Sequence, residues 1–296
     1  MIKRTLFFGN PCYLKKKQEQ MTIEYKDTET KSVPIEDIGV VVLDNQQITL
    51  TTALLMALME NNAAVITSNW QHLPEGLLLP MAEHHAFTEK VRSQFEASEP
   101  LRKNLWQQTV QAKITNQANL LDSIGIPSEN MHYWASQVKS GDPDNYEARA
   151  AAYYWQHLFA DNRVFRRGRF EAPPNNLLNY GYAILRGVIA RNLVASGLMT
   201  FRGIHHKNKY NPYCLADDIM EPYRPYTDKI VLEILADTVE IEELTTDLKR
   251  RLLIIPATDI NIDGQNSPLM VGAGRTTASL IQCYEGVMRK LVYPVL

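Results

Sequence analysis

Residues 76–106 read GLLLPMAEHHAFTEKVRSQFEASEPLRKNLW. The texture of the chain changes within this stretch. Its opening apolar run, ended by Pro80, is the tail of a strand-rich region. From Phe87 onward, apolar residues recur at three- and four-residue spacing, the period of one helix face. A boundary near residues 80–88 follows. The expected fold is α+β, with a small β-rich domain over 1–85 and a larger α-helical domain over 86–296.

On the N-terminal side, RTLFFG (4–9), TIEYKD (22–27), SVPIEDIGVVVLDN (32–45) and AAVITSNW (63–70) alternate or run apolar, punctuated by Gly, Pro and Asn. One helix interrupts them at TLTTALLMALMENN (49–62). There Thr51 or Thr52 caps, Leu54, Leu55, Leu58 and Met59 form a stripe, and Asn61–Asn62 end it. On the C-terminal side, helical spacing runs through residues 100–124, 145–159 and 175–198, the last stopped by Gly197. Further helices are expected over 228–238, 245–255 and 276–293. The segment GQNSPLMVGAGRTTAS (264–279) reads as a loop, with a DNA-facing turn around Gly272–Arg275.

The 296 residues, 45% hydrophobic and 22% charged, describe a globular protein with a real core. No apolar run reaches the roughly 18 residues of a membrane span. The start lacks a signal peptide's long apolar stretch, so the chain reads as cytosolic. Cys12, Cys214 and Cys283 are too few and too scattered for a disulfide framework or a structural zinc site. A net charge of −2 is not the bulk signature of a nucleic-acid binder, so any such role rests on local patches.

The chemistry concentrates in GIHHKNKYNPYCLADDIMEPYRP (203–225). On a helix, Asp217 or Asp218 shares a face with Glu221. Pro222 starts a helix close by or kinks one there. His205 and His206 follow Gly203 in a loop that can fold back over that helix. One imidazole with two carboxylates suits Mg2+ or Mn2+ better than structural zinc. Solvated first-turn acids would account for the same residues. Glu147, alone among alanines and aromatics in YEARAAAYYW, needs a partner if it faces inward.

These segments resemble the CRISPR-associated integrase family Cas1 in its type II form. YEARAAAYYW is similar to the family's Glu-bearing helix, residues 175–198 to its long central helix, and residues 203–225 to its Gly-x-x-His and Asp-x-x-Glu-Pro-aromatic-Arg-Pro signature. The resemblance implies a homodimer with an N-terminal dimerisation domain. It implies two such dimers flanking the small protein Cas2, and suggests the type II effector nuclease as a further partner. The implied activity joins a prespacer 3′-hydroxyl to a CRISPR repeat by metal-dependent transesterification. The implied catalytic residues and ligands for Mg2+ or Mn2+ are Glu147, His206 and Glu221, supported by Asp218. His205 stands where the family is usually apolar and leaves the choice of histidine open.

For DNA, the candidate phosphate binders are Arg163, Arg166, Arg167 and Arg169, then Arg224, then Lys249, Arg250 and Arg251, with Lys15–Lys17 as a further cluster. Tyr180 and Tyr182 read as core. The rival readings are a stand-alone metal-dependent nuclease and a non-catalytic dimeric scaffold. A hydrolase built on Cys214 and His206 lacks an orienting group and an oxyanion motif.

Overall fold

The computed structural model describes every residue except 1, 2, 27, 82, 83, 160–164, 169, 239, 240 and 242. The strand-rich part comprises β1 (Arg4–Phe8), β2 (Tyr13–Lys17), β3 (Gln20–Glu24), β4 (Lys31–Pro34), β5 (Ile38–Leu43), β6 (Thr49–Leu50), α1 (Thr52–Glu60), β7 (Ala64–Ser68) and β8 (Pro74–Leu78). The helical part holds α2 (Phe87–Glu96), α3 (Glu99–Ser123), α4 (Glu129–Gln137), α5 (Tyr146–Leu158), α6 (Asn175–Ala195), α7 (Cys214–Met220), α8 (Arg224–Asp237) and α9 (Thr246–Leu252). It ends with β9 (Asp259–Ile262), β10 (Gln265–Pro268), α10 (Leu269–Tyr284) and β11 (Pro294–Val295). The α+β fold class expected from the sequence is the one observed.

Two four-stranded sheets form the N-terminal part, ordered β1-β5-β7-β8 and β4-β3-β2-β6. In the first, β5 runs parallel to both β1 and β7. A central parallel strand is covered on both faces, and β5 accordingly reads IGVVVL with five of its six residues buried. Successive strand residues point to opposite faces, and the faces join different cores. Val41 packs with Leu14, Met21, Leu54 and Leu58 in the small N-terminal core, and Ile38 joins them because the strand register shifts between the Arg4–Ile38 and Thr5–Val40 pairs. Val40 and Val42, with Ala64 and Ile66 of β7, join the helical core around Trp106, Tyr154 and Tyr180. The composition switch near residue 85 is therefore not a break in packing. Gly187 of α6 lets that helix close on β7, since a Cβ there would sit 2.9 Å from Ile66 Cδ1. Thr51 caps α1 by accepting from Leu54 N–H, one of the two caps expected.

One expectation is corrected. Residues 269–275 are not a loop: they open α10, and Gly272 lies on the face of that helix that packs against Ile260 and Ile262. The residues before it pair in a small sheet, ordered β10-β9-β11. Its β9–β10 turn is Asp263-Gly264, with φ of 53° and 72°. Such a pair is a strong two-residue hairpin signal. Lys15–Lys17 lie on β2, with Lys15 paired to Glu24 and Lys16 to Glu19 at 2.7 Å each. All three cysteines are buried free thiols. No described helix is long and apolar enough to cross a membrane.

Asp228 on α8 ties three helices together, accepting from Tyr154 Oη of α5 at 2.7 Å and Tyr182 Oη of α6 at 2.5 Å. Burial pushes its carboxyl up to about 6, against the two phenol hydrogen bonds. The folded protein thus holds this proton more tightly than the unfolded chain. Its contribution is full below the unfolded value near 4 and is lost as pH rises through about 6. Chemical denaturation of wild type and Asp228→Asn across pH 4–7 checks this. The stability difference should move against wild type by up to ~3 kcal/mol on going up that range.

Candidate metal centre

The site assembles where α3, α5, the 203–213 loop and α7 meet. Pro222 sets the geometry of the signature. Lacking an N–H, it ends the α-helical ladder, and Glu221–Tyr223 turn as a 3-10 segment between α7 and α8. Asn116 of α3 holds the kink, donating from Nδ2 to the Pro222 carbonyl at 2.8 Å. Glu221 is thereby aimed, buried, at α3.

Glu147 comes from the first turn of α5. Asp142 fixes that turn by accepting the backbone N–H groups of Tyr146 and Glu147 at 3.0 and 2.9 Å. Between the two glutamates lies Lys113 of α3. Its Nζ is 2.7 Å from Glu147 Oε1 and 2.7 Å from Glu221 Oε2. The contact to Glu147 is a hydrogen bond. The contact to Glu221 is an ion pair at hydrogen-bond distance, so both carboxylates share the one ammonium. Arg224 Nε donates to the other oxygen, Oε1, at 2.9 Å. Burial alone would raise the Glu221 carboxyl; Arg224 and Lys113 overcome it and hold it at about 2.

The histidines divide by partner. His205 stacks on Trp106, ring centroids 4.1 Å apart and 5° from parallel. His206 instead places Nδ1 2.5 Å from Asp218 Oδ1. Asp218 is fully buried and also accepts the backbone N–H of His205 at 3.0 Å and of His206 at 3.3 Å. Its hydrogen bond raises the His206 imidazole above its ordinary value, against burial. A carboxylate on Nδ1 fixes ring and tautomer and leaves Nε2 as the nitrogen that could hold an ion. Asp217 faces away, paired with Arg186 at 2.7 Å and accepting from Asn211 Nδ2 at 2.7 Å. Gln94 clamps the loop, donating to the Met199 and Arg202 carbonyls and accepting from Met199 N–H.

Gly203 makes the fold-back possible. A Cβ there would lie 2.5 Å from the His206 carbonyl oxygen and 2.7 Å from Asp218 Oδ2. Gly203→Ala should therefore turn His206 out of place. Metal-dependent activity is expected to fall about ten- to a hundred-fold with the helical circular dichroism unchanged, the scale of losing an orienting partner.

As placed, no three His, Cys, Asp or Glu side chains among the described residues converge tightly enough to hold an ion. The donor set nevertheless fits a hard divalent cation. Two carboxylates from different elements share one positive charge, and His206 is anchored at Nδ1.

The proposed phosphate binders separate. Arg163 and Arg169 lie outside the described residues. Arg166 is exposed. Arg167 donates to Asn175 Oδ1 at 2.9 Å and lies over Tyr182, 5.2 Å from the ring centre. Arg224 is committed to Glu221. Lys249 is withdrawn from the role: it is buried, with Nζ 2.7 Å from Asp44 Oδ2. Arg250 is exposed, and Arg251 pairs with Asp237 at 3.0 Å. Tyr180 and Tyr182 are core. Sequence reasoning missed a basic and aromatic surface beside the histidines. A groove of about 480 Å3 is lined by Phe201, Lys207, Lys209 and Tyr210, and another of about 290 Å3 by Arg102, Lys103 and His205.

A strand-rich N-terminal part feeding a helical part with a carboxylate–histidine centre defines a class of two-part α+β proteins. The family model "CRISPR associated protein Cas1" matches residues 6–249. A CRISPR-associated endonuclease Cas1 of Neisseria meningitidis serogroup C is 36% identical over 281 residues, covering 94% of this chain and 91% of its own. The chain belongs to the Cas1 family. Among solved structures, a casposase bound to integration product superposes with a TM-score of 0.80 at 18% identity, covering 98% of this chain and 92% of its own. A chain of a Cas6-RT-Cas1–Cas2 complex gives 0.75 at 19% identity, covering 99% of this chain and 36% of that longer one.

Proposed function

We propose that the protein is a metal-dependent DNA integrase and endonuclease of CRISPR spacer acquisition, joining prespacer 3′-hydroxyl ends to a CRISPR repeat. The observation that carries this reading is the pairing of Glu147 and Glu221 across one cation, beside a histidine anchored through Nδ1. Glu147, Glu221 and His206 Nε2 would hold Mg2+ or Mn2+. When bound, the ion supplies charge neutralisation at the attacking and leaving oxygens of a phosphodiester. The chain's own residues do the rest. Asp218 orients His206, Arg224 keeps Glu221 ionised, and Trp106 fixes the histidine loop. Lys207 and Lys209 offer charge to a phosphate backbone, and exposed Tyr210 offers a ring to an unpaired base. The nucleophile is the DNA hydroxyl, so the protein needs no Ser or Cys for attack; Cys214 is buried, with its thiol raised by burial.

The relatives' names support the activity and partners: an endonuclease, a protein bound to an integration product, and a complex with Cas2. The reading extends to a homodimer formed through the N-terminal sheets, assembled with Cas2 on prespacer and repeat DNA, with the type II effector nuclease as a further partner. The test mixes the purified protein, with and without Cas2, with a short duplex bearing free 3′-hydroxyls and a supercoiled plasmid carrying a repeat array, in Mg2+ or Mn2+. Joined product supports the integrase. Nicking without joining favours a stand-alone nuclease, and no activity on DNA leaves a scaffold.

A further inference from the structure

Lys113 belongs to no motif, yet it is the central charge of the site. It sits on the longest helix, α3, with its side chain 11% exposed. Two glutamates from separate elements meet its ammonium at 2.7 Å each. Bringing Glu147 and Glu221 together without a cation would set like charges against each other in a poorly solvated place. A divalent ion bound by the same oxygens would have to occupy much of the space the ammonium now fills. The side chain of Lys is long and flexible, so its head group can retreat while its helix stays fixed.

We infer that Lys113 is a built-in counter-ion for the metal centre, holding Glu147 and Glu221 together before metal arrives and competing with the incoming divalent cation for their oxygens. It is a positioning residue. The inference rests on the proposed ligand set and adds a threshold to it: the centre loads only where divalent ion is abundant enough to displace the ammonium.

Mn2+ titration of the full chain, followed by loss of the free-ion paramagnetic resonance signal, tests this without reference to activity. Lys113→Met should bind Mn2+ about ten- to a hundred-fold more tightly than wild type, as removal of a positive charge from the ion's position requires. In EDTA the same variant should melt at a lower temperature than wild type, and Mn2+ should raise its melting point by more. Lys113→Arg keeps the charge and should remain near wild type, and Lys113→Gln serves where the Met variant fails to fold. Unchanged or weaker Mn2+ affinity in the neutral variants would overturn the inference while leaving the ligand set intact. A wild type whose Mn2+ binding is indifferent to Glu221→Gln would overturn the ligand set, and this inference with it.

Discussion

Glu221→Gln should reduce metal-dependent cleavage and joining of DNA by about a thousand-fold or more, since the several kcal/mol of charge stabilisation a bound ion provides is forfeited with a ligand. The amide matches the carboxylate in size, so the buried position does not collapse. What it lacks is charge. Arg224 and Lys113 lose the anion they face, and the His206 nitrogen loses its partner ligand across the site. The variant should also be less stable near neutral pH. Glu221 is held at about 2, so its ionised form stabilises the fold above the ordinary carboxylate range, and that contribution is lost as pH falls toward 2. Activity and melting therefore need to be read together. Glu221→Asp separates them: it restores the charge with a shorter reach and should recover part of both. A Gln variant that cleaves and joins at wild-type rates would remove Glu221 from the chemistry.

The second large effect concerns the Asp44–Lys249 ion pair. Lys249→Met should destabilise the protein by about 3–5 kcal/mol, the cost of leaving one partner of a buried ion pair alone. Asp44, at the end of β5, and Lys249, on α9, are 4% and 5% exposed at the side chain and meet at 2.7 Å. Among the described residues Asp44 Oδ1 has no hydrogen-bond partner, and His72 Nδ1 lies 3.5 Å from Oδ2. The double variant Asp44→Asn with Lys249→Met should regain most of the loss, because no uncompensated charge remains. Denaturant midpoints of the three proteins check this. Equal destabilisation in single and double variants would show that Lys249 contributes through packing over Tyr180 rather than through charge.

Much of this was legible in the sequence because local rules and the fold agree. The doubly buried β5 announced itself as a run of β-branched residues. Thr51 capped α1, and Pro222 broke the signature helix as its missing N–H requires. Other features left no local trace. Lys113 is one basic residue in a long helix that is contacted all round, so no periodicity marks it as inward-facing. The division between His205 and His206 depends on Trp106, which lies on another element and is brought near only by packing. Lys249 sits in a basic triplet that looks like a solvated face, and its burial depends on an aspartate some two hundred positions away. The β9–β10 hairpin is different: Asp263-Gly264 was a readable signal, obscured by the Gly, Ser and Pro content around it.

The most direct test is joined product per unit time, measured with Cas2 present in Mn2+ and again in EDTA, for wild type, Glu147→Ala, His206→Ala and His205→Ala. The arrangement of Glu147, Glu221 and the Asp218-anchored His206 predicts product from wild type and His205→Ala in Mn2+, none from Glu147→Ala or His206→Ala, and none from any protein in EDTA. Joining that persists in EDTA, or in His206→Ala but not His205→Ala, would contradict it.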